Sequence, residues 1–152
     1  MTVADRGQVI PAPLSRENAS RVKAQTASDK WVLLVVEDHG SLCDTVSLFM
    51  MRHGYHVRTA NNGASALEIL SPEEIHLALL DLMLPKVDGF EVLRQVTKTQ
   101  RGGFAYIIVV SAAASATNRQ KVLDLGANEY VPKTFHLNRL LERVQAVEKF
   151  FY

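Results

Sequence analysis

The sequence predicts an α/β fold: a doubly wound, five-stranded parallel sheet with five helices. Two observations carry that expectation. From Trp31 onward, short runs of aliphatic and β-branched residues alternate with longer stretches that repeat apolar residues at helical spacing. Three of the short runs are apolar almost throughout, as strands covered on both faces are, whereas a strand with one wet face alternates.

Residues 1–30 contain Pro11, Pro13 and scattered Ser and Ala but no sustained apolar face, and read as a flexible amino-terminal extension in which Ser15 could cap a short helix over 15–23. The domain proper is expected over 31–152. Its first strand, 32–36, is wholly apolar. A helix over 41–52 follows, with Leu42, Val46, Phe49 and Met50 on one face, and Gly54 stands past its end, where a left-handed residue is needed. The second strand, 55–59, alternates like an edge strand, and Asn61, Asn62 and Gly63 read as a turn into a helix over 63–70. Strand 77–80 is apolar and is followed, after a loop, by a helix over 89–99, with Asp88 placed as its cap. The fourth strand, 106–110, leads to a helix over 115–125 closed by Gly126. The fifth, 129–131, precedes a helix over 136–150 striped by Leu137, Leu140, Leu141, Val144 and Val147.

At 152 residues the chain is long enough to bury a core without disulfides or a structural metal. Lys and Arg total 17 against 16 Asp and Glu, a formal charge of +1 that gives no electrostatic case for nucleic acid or an anionic membrane. The single cysteine, Cys43, reads as a small buried hydrophobe on a helix. The five histidines show no metal-ligand spacing and read as surface or satisfied core residues. No apolar run approaches the roughly 18 residues that span a bilayer. The amino terminus lacks the pattern of a secretory signal, so a cytoplasmic location is expected.

Chemistry-bearing residues stand where strands run out. Glu37 and Asp38 follow the first strand, Asp81 the third, Ser111 the fourth and Lys133 the fifth. In a parallel sheet of order 2-1-3-4-5, the flavodoxin-like arrangement, these carboxyl ends share one crevice, and strands one and three are neighbours. Glu37, Asp38 and Asp81 then meet, and three like charges so close require a cation among them. Oxygen-only ligands favour Mg²⁺ or Mn²⁺ over zinc. With Lys133 and Ser111 alongside, the cluster suits an anionic phosphoryl group on Asp81, which would attack as a carboxylate nucleophile.

From about Trp31 onward the chain resembles the receiver domain of two-component response regulators. The matching residues are Val35, Val36, Glu37 and Asp38; Leu80 to Pro85 with Asp88 and Gly89; Val110, Ser111 and Ala112; and Gly126, Ala127, Tyr130, Val131, Pro132 and Lys133. The resemblance implies that Asp81 accepts a phosphoryl group from a histidine kinase or a histidine phosphotransfer domain. It implies that Asp38, Asp81 and the Met83 backbone carbonyl hold Mg²⁺, with Glu37 reaching the ion directly or through water. Ser111 and Tyr130 would be the switch residues, and the face formed by the fourth helix, fifth strand and fifth helix would meet an unknown downstream protein or a second copy. In one departure, Thr134 follows Lys133 where the family has a proline after a cis peptide. A cis bond before a non-proline residue costs roughly 3 kcal/mol. Lys133 is still expected to reach the Asp81 crevice.

Two other readings of the same architecture are weaker. A flavin phosphate after the first strand would be repelled by Glu37 and Asp38, and an aspartate-nucleophile phosphatase needs a second acid where Met83 stands. A receiver fold used only for docking or dimerisation, without phosphorylation, is the remaining alternative. It sits poorly with five filled chemical positions.

Overall fold

The computed structural model describes residues 2–5, 8–10, 31–70, 75–99, 105–112, 116–133 and 136–151. Near the amino terminus β1 (Thr2–Asp5) and β2 (Gln8–Ile10) form an antiparallel hairpin, Val3 opposite Val9, as a sheet of their own. Pairing this short leaves little periodicity in the sequence. The helix considered over 15–23 lies outside the described residues.

The main chain of elements is β3 (Val32–Val36), α1 (Gly40–Arg52), β4 (His56–Ala60), α2 (Gly63–Ile69), β5 (Leu77–Leu80), α3 (Gly89–Thr99), β6 (Tyr106–Ser111), α4 (Ala116–Asp124), β7 (Glu129–Pro132) and α5 (Leu137–Phe151). Five strands pair in parallel in the order β4-β3-β5-β6-β7, which is second, first, third, fourth, fifth along the sheet's own sequence. The expected doubly wound order and the five helices are therefore present.

Alternate residues of the central strands feed two separate cores. Leu33, Val35, Leu77, Leu79, Tyr106, Ile108 and Val110 pack with Val46 and Met50 of α1 and with Leu140, Val144 and Val147 of α5. Leu34, Val36, Ala78, Leu80, Ile107 and Val109 pack on the other face with Ala66 of α2, Val92, Leu93 and Val96 of α3, and Val122 of α4. Burial on both faces explains the unbroken apolar runs of β3, β5 and β6, while β4, mostly exposed, is an edge.

Several element ends differ from the sequence reading by a residue. The second sheet strand begins at His56 because Tyr55 is drawn into the core, its amide bonded to the Met50 carbonyl at 3.2 Å and its hydroxyl donating to Glu148 of α5 at 2.8 Å. Strands β6 and β7 each run one residue further, since Ser111 still pairs with Pro132. Gly54 and Gly126 take φ of 95° and 112° just past α1 and α4, as the caps require. Asp88 caps α3 by accepting the Glu91 amide at 2.9 Å.

The sheet also carries a buried polar tie that its apolar pattern does not advertise. Glu129 of β7 accepts the Tyr106 hydroxyl at 2.7 Å and Arg143 Nε of α5 at 2.8 Å, with Arg143 itself buried. Asn128, just before β7, accepts the Ile107 amide at 2.7 Å.

Candidate functional site

Register brings the acids together. Val36 pairs with Leu80, so Glu37 and Asp81 leave adjacent strands at the same level, and the Asp81 amide donates to the Val36 carbonyl at 3.1 Å. Oxygens of Glu37, Asp38 and Asp81 lie within 4.8 Å of one another. Glu37 and Asp81 are buried, whereas Asp38 is exposed. The floor below is apolar, formed by Val35, Leu79, Val110 and Leu140.

Lys133 enters from β7, its amide donating to the Ser111 carbonyl at 2.9 Å. Its ammonium sits 2.7 Å from Glu37 Oε1 and 3.0 Å from Asp81 Oδ2. The other Glu37 oxygen accepts the His39 amide at 3.0 Å. Burial raises the Glu37 pKa above the usual carboxylate range, against the lowering hydrogen bond from Lys133 and with the Asp81 charge adding to the rise. For Lys133, burial opposes the charged form, but hydrogen bonds to Glu37 and Asp81 outweigh it and the pKa is raised. Thr134 lies outside the described residues, and with it the Lys133–Thr134 peptide.

Ser111 is fully buried at the end of β6, and Tyr130 of β7, half-buried beside Val109, packs on the core below α4. Met83 is 66 % exposed at the rim, its amide donating to Asp81 Oδ1 at 3.2 Å.

The loop from Asp81 to α3 is tightly closed. The Leu82 carbonyl accepts the amides of Leu84 at 3.2 Å and Gly89 at 3.0 Å, and Lys86 takes a left-handed φ of 64°. A Cβ on Gly89 would stand 2.5 Å from the Asp81 carbonyl oxygen and 2.6 Å from Leu82 Cα, so this position has room for glycine alone. Sequence reading did not anticipate the role of Gly63, which stood out merely as part of a turn. A Cβ there would overlap the Val87 carbonyl oxygen, and no local signal encodes a contact between the start of α2 and a distant loop.

The donor set fits a hard divalent cation. Three carboxylates face one ammonium, an excess of negative charge that a divalent ion would offset, and every side-chain ligand is oxygen. Lys133 stands in part of that place and would share the site with the ion. Among the described residues no helix is long and apolar enough to cross a membrane.

Comparison with known proteins agrees with this geometry. The response regulator receiver domain family matches residues 33–145. The chain is 35% identical over 120 residues to response regulator RR06 of Streptococcus pneumoniae, covering 79% of this chain and 54% of that protein. It is 36% identical over 115 residues to response regulator MprA of Mycobacterium leprae, covering 76% and 50%. It therefore spans about half the length of these curated relatives. A CheY-like response regulator receiver domain protein from Methanospirillum hungatei superposes with a TM-score of 0.73 at 28% identity, over 80% of this chain and 96% of the other. The BeF3-activated DrrB receiver domain gives 0.69 at 28% identity, over 78% and 98%. With the family pattern matched across most of its length, the chain belongs to the response regulator receiver domains of two-component signalling.

Proposed function

We propose that this chain is a phosphorylatable receiver in which Asp81 takes a phosphoryl group from the phosphohistidine of a histidine kinase or histidine phosphotransfer domain. The observation that carries it is Lys133 bridging Glu37 and Asp81 inside a cluster of three carboxylates whose oxygens lie within 4.8 Å. Asp38, Asp81 and the Met83 carbonyl would hold Mg²⁺, or Mn²⁺, with Glu37 reaching it directly or through water. An Asp81 oxygen attacks phosphorus, the phosphorus–nitrogen bond breaks, and the imidazole leaves while an acyl phosphate forms. Lys133 and the Ser111 hydroxyl then meet the new phosphoryl oxygens.

Ser111 and Tyr130 are the switch pair in this reading. Both sit on strands flanking α4, so a phosphoryl group that favours one arrangement of Ser111 shifts the population of the face formed by α4, β7 and α5. That face is offered to a downstream protein or a second copy of the chain, in a cytoplasmic setting. The BeF3-activated form of the DrrB receiver domain, to which this chain is similar, supports reading it as a receiver that is switched by activation.

Intact mass after incubation with acetyl phosphate and Mg²⁺ tests the proposal. One phosphoryl group should be gained, and the gain should vanish in Asp81→Asn and with chelator. No gain from any donor would leave a docking or dimerisation module that needs no phosphorylation.

A further inference from the structure

We infer that Gly63, outside the acid cluster, is a positioning residue for the loop that carries Asp81; its effect on phosphoryl transfer rests on the function proposed above. Gly63 opens α2 and is buried. A Cβ built there would overlap the Val87 carbonyl oxygen and stand 2.6 Å from the Val87 carbonyl carbon and 2.9 Å from its Cβ. Two of those three atoms are backbone, so no rotamer change relieves the overlap. Either the first turn of α2 or the loop over 82–88 must move.

Both sides of this contact are held. On one side Asn62, itself buried, caps α2 by accepting the Ser65 amide at 2.8 Å and donates to Asn61 at 2.8 Å. On the other, Val87 lies between left-handed Lys86 and the cap Asp88, and Gly89 is bonded back to Leu82 at 3.0 Å. A displacement at Val87 is thus passed within one closed loop to Leu82 and Asp81.

The connection from β4 to α2 also reaches the other half of the site. The Ala60 carbonyl accepts the Glu37 amide at 3.0 Å. Residues 60–63 therefore brace the end of β3 through a hydrogen bond and the Asp81 loop through the Gly63 contact. One short segment sets the spacing of the two acidic strand ends.

The experiment compares wild type, Gly63→Ala and a control, Val147→Ala, whose side chain is buried in the core on the opposite face of the sheet. Amide hydrogen exchange is read at Leu84 and Gly89 and, for reference, at Val35 and Ile108. Magnesium affinity and the rate of labelling by acetyl phosphate are measured alongside. In Gly63→Ala, exchange at Leu84 and Gly89 should quicken at least about tenfold relative to the reference amides, and labelling should slow roughly tenfold to a hundredfold. Val147→Ala should slow neither labelling nor magnesium uptake at a temperature where it is folded. Loop amides that exchange no faster than the strand amides, or unchanged labelling in folded Gly63→Ala, would overturn the inference. If Gly63→Ala does not fold, Asn62→Ala, which releases the same turn without adding bulk, must show the same local quickening at Gly89 or the inference fails. A wild type that is never labelled sinks the proposed function, while the exchange pattern still decides the place of Gly63.

Discussion

At Lys86 the backbone takes φ 64° with a side chain attached, in the loop that separates Asp81 from α3. Left-handed geometry costs a non-glycine residue about 1–2 kcal/mol, and glycine adds about 0.5–1 kcal/mol of unfolded-state entropy. Lys86→Gly should therefore stabilise the domain by about 0.5–1 kcal/mol, read as a higher urea midpoint at constant slope. The residues of the acid cluster were legible in the sequence because they follow apolar runs, and an acid at a strand end is visible in one dimension. Lys86 and Gly63 were not. Strain at the first and the missing Cβ at the second take their meaning from the closed path of a loop, which composition does not describe.

Among the elements, α5 is fastened to the sheet twice by polar groups as well as by its apolar stripe: Arg143 to Glu129, and Glu148 to the Tyr55 hydroxyl. Removing one member of a buried pair leaves the other charge unmatched, so Glu129→Ala should cost about 3–5 kcal/mol in chemical denaturation. The phenols give this region a pH signature. Burial first, then the charge and hydrogen bond of Glu129, raise the Tyr106 pKa, with Arg143 opposing. Burial, then the Glu148 hydrogen bond and charge, raise that of Tyr55. Unfolded tyrosine ionises near pH ~10. Above that the unfolded chain releases protons that the folded one keeps, so stability falls as pH rises. Denaturation midpoints should decline with pH beyond about 10, less steeply in Tyr106→Phe. The stripe of α5 was legible from its spacing, but Arg143 within it was not, since a charged residue on an apolar face reveals its partner only when β7 is in place.

For the molecule as a whole, a cation held by Glu37, Asp38 and Asp81 would link ion uptake to folding. An ion that binds only the folded domain at a hundredfold excess over its Kd adds about 2.7 kcal/mol. At this size that corresponds to a rise in Tm of about 5–10 °C. Mg²⁺ should produce such a shift in thermal melts, chelator should reverse it, and Asp38→Ala should remove most of it. Sheet order was readable because apolar runs alternating with helical stripes permit few connections. The amino-terminal hairpin was not, its strands being too short to show a period. One further consequence belongs to β4, the edge of the five-stranded sheet, where the side chains of His56, Arg58 and Thr59 are exposed. An edge strand is a template onto which another polypeptide can add itself, and a cationic guanidinium on that border discourages a like-charged copy from doing so. Colloidal behaviour in concentrated solution thus falls to side chains outside the acid cluster.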